Sequence, residues 1–99
     1  VASRKFQWDQ ANTEHIAPHA ITPQEVREVF SRIYAEVPTD PVDGEDRYWA
    51  IGTTARGRHL TIAFTERGEY TRPITGWEMT PEELEIYVEE LYRRLDLPE

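Results

Sequence analysis

Two segments of this chain carry the same instruction for starting a helix, and together they fix the frame of any fold it can adopt. Ile21-Thr22-Pro23-Gln24-Glu25-Val26 and Met79-Thr80-Pro81-Glu82-Glu83-Leu84 repeat one order of residue types: apolar, Thr, Pro, any, Glu, apolar. Threonine is a good N-cap because its hydroxyl accepts from an otherwise unpaired amide, and proline suits the first helical position, where a missing amide costs nothing. The Glu three residues after the cap closes a capping box, and the flanking apolar pair staples the chain across it. Each set contributes on the order of 1 kcal/mol. Val26, Val29, Phe30, Ile33 and Val37 then recur at helical spacing, which predicts a buried face to about Glu36. After the second start, Leu84, Tyr87, Val88, Leu91, Tyr92 and Leu95 form an apolar stripe.

The remaining elements follow from these anchors. Residues 4–8, with Phe6 and Trp8, read as a first strand, and Asp9 caps a short helix from Gln10 to Ala17 that Pro18 ends. Pro38 to Asp46 is rich in turn formers and acids and reads as a long loop. Three strands follow at Tyr48–Thr54, His59–Thr65 and Tyr70–Trp77, joined by Ala55-Arg56-Gly57-Arg58 and Glu66-Arg67-Gly68-Glu69. Leu60, Ile62 and Phe64 face one way, and His59, Thr61, Ala63 and Thr65 the other. Pro73 donates no ladder bond, so its strand is an edge there or bulged. The fold class is α+β: a short N-terminal strand, two helices, a three-stranded antiparallel meander and a C-terminal helix, in one domain spanning 1–99. Val26, Val29, Phe30, Ile33, Leu60, Ile62, Phe64, Leu84, Val88 and Leu91 are the expected core, as one continuous cluster.

Composition narrows the chemistry. There is no Cys, which removes thiol catalysis, disulfides and cysteine-held zinc. No apolar run approaches the roughly 20 residues of a membrane helix, and no signal-peptide pattern is visible, which points to the cytoplasm. The net charge of −8 is uneven. Glu78 to Glu99 holds eight acids against two Arg, whereas Arg47 to Trp77 holds five Arg against two Glu. Overall acidity argues against bulk nucleic-acid affinity and leaves room for a local basic pocket.

Arg47, Arg58, Arg67 and Arg72 lie on or beside adjacent strands. Guanidinium forks grip phosphate oxygens bidentately. The plainer reading pairs them with Glu66, Glu69 or the last helix. His15 and His19 have the spacing of two ligands on one helix face, but Pro18 interrupts that helix, and no metal or other cofactor is expected. His19 reads as a helix-terminal residue bonded to backbone. Trp8 and Trp49 read as core, while Trp77 has the option of stacking on a base. Of the carboxylates from Glu78 to Glu90, Glu83 belongs to the capping box and Glu82 to the helix dipole; the others read as solvated.

Two blocks carry a family resemblance: Phe6-Gln7-Trp8-Asp9, Asn12, His15-Ile16 and His19 near the start, and Arg72-Pro73-Ile74-Thr75-Gly76-Trp77 with Met79-Thr80-Pro81-Glu82-Glu83 near the end. With Gly44-Glu45-Asp46-Arg47 and Thr65-Glu66-Arg67-Gly68 between them, the chain from about Phe6 to Tyr87 resembles the BrnT-type ribonuclease toxins of bacterial toxin–antitoxin pairs, which have a RelE-like fold. The resemblance implies a toxin that cleaves RNA without metal and is restrained by a ribbon-helix-helix antitoxin. It implies Arg47, Arg72 and His19 as catalytic; Arg58 and Arg67, by their place beside the strands, and Trp77, by its indole, are the candidate substrate contacts. The chain departs from the family where Pro18 and Ala20 replace Lys and Gly, and where Trp77-Glu78 replaces a basic pair, which implies weakened activity. The competing expectation is a non-catalytic, toxin-derived module that binds an antitoxin-like partner.

Overall fold

The computed structural model describes residues 4–96. Its elements are β1 (Lys5–Phe6), α1 (Gln10–Ile16), a 3-10 turn (Ala17–His19), α2 (Pro23–Ser31), β2 (Tyr34–Val42), β3 (Glu45–Thr53), β4 (His59–Arg67), β5 (Tyr70–Glu78) and α3 (Pro81–Leu95). The α+β layout expected from the sequence is present, with one strand more in the meander. All three helix starts form as capping boxes: Asp9 with Asn12, Thr22 with Glu25, and Thr80 with Glu83.

The extra strand corrects two expectations. The helix from Pro23 stops at Ser31 rather than near Glu36, and most of the predicted loop is strand. From Tyr34 the chain pairs antiparallel with β3, so Ala35 and Val37 extend a period-two pattern rather than a helical one. Pro38 and Pro41 are tolerated because β2 is a sheet edge, where a missing amide breaks no inner ladder. The turn into β3 is Asp43-Gly44, with φ of 51° and 75°. Positive φ at both central residues is what a tight hairpin needs, and Asp-Gly is its usual sequence signal.

The sheet order is β1-β5-β4-β3-β2, with β1 parallel to β5 and the rest antiparallel. Its two faces carry separate cores, where one was expected. Ile16, Ile21, Val26, Val29, Phe30, Ala50, Leu60, Ile62 and Phe64 form the larger one, beneath α1 and α2. Phe30 meets Phe64 edge-on at 5.1 Å, an aromatic geometry that adds to area burial. On the other face α3 covers a smaller cluster of Ala35, Ile51 and Tyr87, bordered by Val37, Trp49, Met79 and Leu91. Leu84 and Val88, expected in the core, are exposed, and Ile33 is only half-buried.

Pro73 does sit at a bulge. Ala63 pairs with Thr75 and Phe64 with Pro73, so β5 carries Ile74 as an extra residue. Upstream of that point the alternation of β5 is inverted. Trp77 and Thr75 share the α3 face with Thr61 and Ala63, and the bulge brings Arg72 opposite Thr65, onto that same face.

Candidate functional site

The bulge decides where the basic residues meet. In unbroken register Arg72 would pair with Glu66 and face the α2 core; instead it pairs with Thr65. Tyr48 pairs with Phe64, which sets Arg47 opposite Thr65 on the other side. Arg72, Thr65 and Arg47 therefore form one row across β5, β4 and β3. The two arginine Cα atoms are about 10 Å apart at two strand spacings. Arg67 lies two residues beyond Thr65 on the same face. Thr65 is buried in the row, and its hydroxyl donates to the Asp46 carbonyl at 2.6 Å.

Two carboxylates hold this row. Asp9 Oδ2 is 2.8 Å from Arg72 Nη1, and that arginine's side chain is only 12% exposed. The Arg72 hydrogen bond, helped by the amide of Asn12, holds the Asp9 carboxyl below the ordinary aspartate range. Glu45 accepts from Arg67 Nε at 2.9 Å and lies 3.7 Å from Arg47 Nη2. Its carboxyl is lowered mainly by the Arg67 hydrogen bond, with the charges of Arg67, Arg47 and Arg72 adding to it. One carboxylate thus feels all three guanidinium groups. The Arg47 Nε is buried and without a hydrogen-bond partner.

The N-terminal block supports the row from the side. Asn12 is buried, and its Nδ2 donates to the carbonyls of Gln7 and Pro73, both at 2.9 Å. This ties α1 to the bulge beside Arg72. Trp8 packs on the main core. His15 lines a shallow cleft with Ala11, Asn12, Arg72 and Ile74, which makes it the imidazole on the Arg72 side.

The other residues singled out in the sequence lie elsewhere. Arg58 donates to the carbonyls of Ala20 at 2.6 Å and His19 at 2.8 Å, and pairs with Glu25 at 3.2 Å. It fastens the α1–α2 connection at the end of β4 opposite Thr65. His19 is exposed on the 3-10 turn, and it is its backbone carbonyl that Arg58 engages. Trp77 is on the α3 face, about 13 Å along the sheet from the arginine row at some 3.4 Å per residue. Its Nε1 donates to Glu83 at 3.0 Å, and its ring meets Trp49 edge-on at 5.4 Å. Glu78 is exposed and 3.9 Å from Arg58, away from the row. Among the described residues no three His, Asp or Glu side chains are grouped as metal ligands, and no helix is long and apolar enough to cross a membrane.

Sequence reasoning had Arg47, Arg67 and Arg72 but not their carboxylate partners. In the sequence Asp9 reads as a helix cap and Glu45 as part of a turn-rich stretch, and both fall in the family blocks with no pairing to an arginine indicated. The missing signal was the parity of β5, which depends on how Pro73 bulges. No match was found among curated proteins. A family model described as "Ribonuclease toxin, BrnT, of type II toxin-antitoxin system" matches residues 8–83, well over half the chain and including the Asp9, Glu45, Arg47, Arg67 and Arg72 framework. The chain belongs to the BrnT family of ribonuclease toxins of type II toxin–antitoxin systems.

Proposed function

We propose that this protein acts on RNA through the row of Arg72 and Arg47, with Arg67 beside it. The observation that carries this reading is the bulge at Pro73, which turns Arg72 onto the face of Arg47. In the proposed reaction the ribose 2′-oxygen attacks the adjacent phosphorus, its proton passes to a base, and the 5′-oxygen leaves with a proton from an acid. Arg47 and Arg72, with Arg67 beside them, stabilise the extra negative charge on the phosphorane, a task three guanidinium groups can fill without a metal ion. His15, which lines the cleft with Arg72, is the proton-transfer group this geometry favours. His19 and Arg58 are assigned to the scaffold, because Arg58 is committed to backbone carbonyls and Glu25. Trp77 is assigned to the α3 junction.

Phosphate must displace Asp9 and Glu45 from these arginines. That competition supports a weakened activity and keeps a second reading in view, in which the protein binds its antitoxin without cleaving RNA. We further propose that the antitoxin is of ribbon-helix-helix type and that the toxin works on cytoplasmic RNA. Cleavage of a labelled single-stranded RNA in EDTA tests the catalytic reading. Arg47→Ala or Arg72→Ala should slow it by roughly 10²–10³-fold, as for one lost oxyanion donor. Lysine at either site should restore part of the rate, since charge returns without the fork. Undiminished cleavage in the double alanine variant would sink the assignment. Antitoxin binding with no cleavage at any enzyme concentration would favour the second reading.

A further inference from the structure

Between the arginine row and α3 one strip of the sheet stays open among the described residues. Ala63 pairs with Thr75 on one side and with Trp49 on the other, and Trp49 pairs with Val37. Along β3 and β4 this strip is two residues from Arg47 and Thr65, about 7 Å at some 3.4 Å per residue. In the next row, beneath α3, Thr61, Ile51 and Ala35 are buried, whereas Thr75, Ala63, Trp49 and Val37 are all half-buried.

Ala63 decides what this opening is. Its strand, β4, has another strand on either side, so a side chain as short as alanine reaches water only where the sheet face above it is empty. The single methyl leaves a gap between Trp49 and Thr75, whose strands stand two spacings apart, about 10 Å. The wall on the β3 side is aromatic and braced. Trp49 packs on the cluster of Ala35, Ile51 and Tyr87, and Trp77 meets it edge-on at 5.4 Å. No arginine of the row caps the indole, because the one cation–π contact among the described residues is Arg4 on Phe30.

We propose that Trp49, Ala63 and Thr75 form a slot for one nucleobase of a single-stranded RNA. The base stands on Ala63 and stacks on the Trp49 indole, and its own phosphate falls over Arg47 and Arg72, one row away. This rests on the RNA reading of the arginine row and adds the group that places the substrate along it. Stacking accepts any base, since each has a π-face, so the slot orders the chain with little regard to sequence. A base paired in a helix cannot enter it without leaving its stack, so the slot favours single strands and loops.

The test is equilibrium binding of the full chain to a single-stranded 2′-fluoro RNA, which lacks the attacking oxygen. Ala63→Leu fills the gap and leaves the indole in place. Trp49→Leu keeps the apolar contact with Ala35 and Ile51 and removes the ring. Each should weaken binding by roughly fivefold to a hundredfold, the loss of one stacked base. Neither should change the salt slope, because the phosphate contacts are untouched, whereas Arg72→Ala should make it shallower. In a series of oligonucleotides each lacking one base, one position should lose as much as Ala63→Leu does. At that position Ala63→Leu should cost nothing further, as two changes to one contact do not add. If a thermal melt shows one variant destabilised, the other decides alone. Wild-type affinity in a stably folded variant would overturn the slot and leave the arginine row standing. So would a shallower salt slope in Ala63→Leu, since the loss would then lie in phosphate contacts. A wild-type chain that binds no RNA would instead overturn the arginine row, and the slot with it.

Discussion

Asp9 accepts the Asn12 amide with Oδ1 at 3.1 Å and meets Arg72 with Oδ2 at 2.8 Å. One side chain thus starts α1 and orients a candidate phosphate-binding group. Its folded-state carboxyl is depressed, mainly by the Arg72 hydrogen bond. A depressed acid contributes stability that is present above its unfolded value and lost as pH falls through the folded one. Asp9→Asn keeps the cap, because asparagine caps about as well, and removes the ion pair. Denaturant midpoints of the two proteins should therefore differ by a constant amount above about pH 5 and converge as pH drops below about 4. A gap that persists into strong acid would mean that the pair with Arg72 is not its source. The cap was legible in the sequence, since Asp before a helical run is a local signal. The Arg72 partner was not, because it lies 63 positions away and is brought near by β5.

Among the elements, α3 shows best how local grammar and packing divide the work. Thr80, Pro81 and Glu83 forecast its start, and the capping box is formed. Glu83 Oε1 also accepts from the Thr61 hydroxyl at 2.7 Å and from Trp77 Nε1 at 3.0 Å, so a capping residue becomes the bolt between helix and sheet. Glu83→Leu would strand these buried donors and should lower stability by about 1–3 kcal/mol in denaturant unfolding. Glu83→Gln, which keeps an acceptor oxygen, should cost much less. Equal losses in the two variants would assign the effect to charge rather than to the stranded donors. The stripe on α3 was legible as apolar, and its direction was not. The rotation of a helix is set by what it meets, and here buried Glu83 and Glu90 outvote Leu84 and Val88. At β2 the apolar period misleads for a related reason. Ile33 and Val37 fit helical spacing, but pairing with β3 through the Asp43-Gly44 turn rewards a strand more.

At the scale of the whole molecule, the sheet separates a large apolar core from a thinner layer beneath α3. On that thinner side, basic and acidic surfaces coexist: the Arg47, Arg67 and Arg72 face, and the glutamate-lined helix. The chain is acidic in sum, so RNA affinity has to come from few contacts, and its salt dependence counts them. With three arginines meeting phosphates, log K should fall against log salt with a slope of about −2 for single-stranded RNA, at about 0.7 per contact. Arg67→Ala should make that slope shallower by about 0.7, while Arg58→Ala should leave it unchanged. If Arg58→Ala flattens the slope as much as Arg67→Ala, the RNA path runs along the other end of the sheet.

The sequence alone determined what is written within a few residues: three helix starts, the strand alternation at Leu60, Ile62 and Phe64, and the presence of a bulge or an edge at Pro73. It also carried the family, because the Trp8-Asp9, Asn12 and Arg72-to-Glu83 blocks are local patterns. Tertiary structure decided what depends on register between distant strands. It set the inverted parity of β5, which brings Arg72 to Arg47, and the Glu45 and Asp9 pairs that hold them. It also set the rotation of α3, which leaves Leu84 and Val88 exposed. A strand's alternation is fixed by its own residues, but which face is which depends on its neighbours. At Pro73 one extra residue is enough to exchange the two.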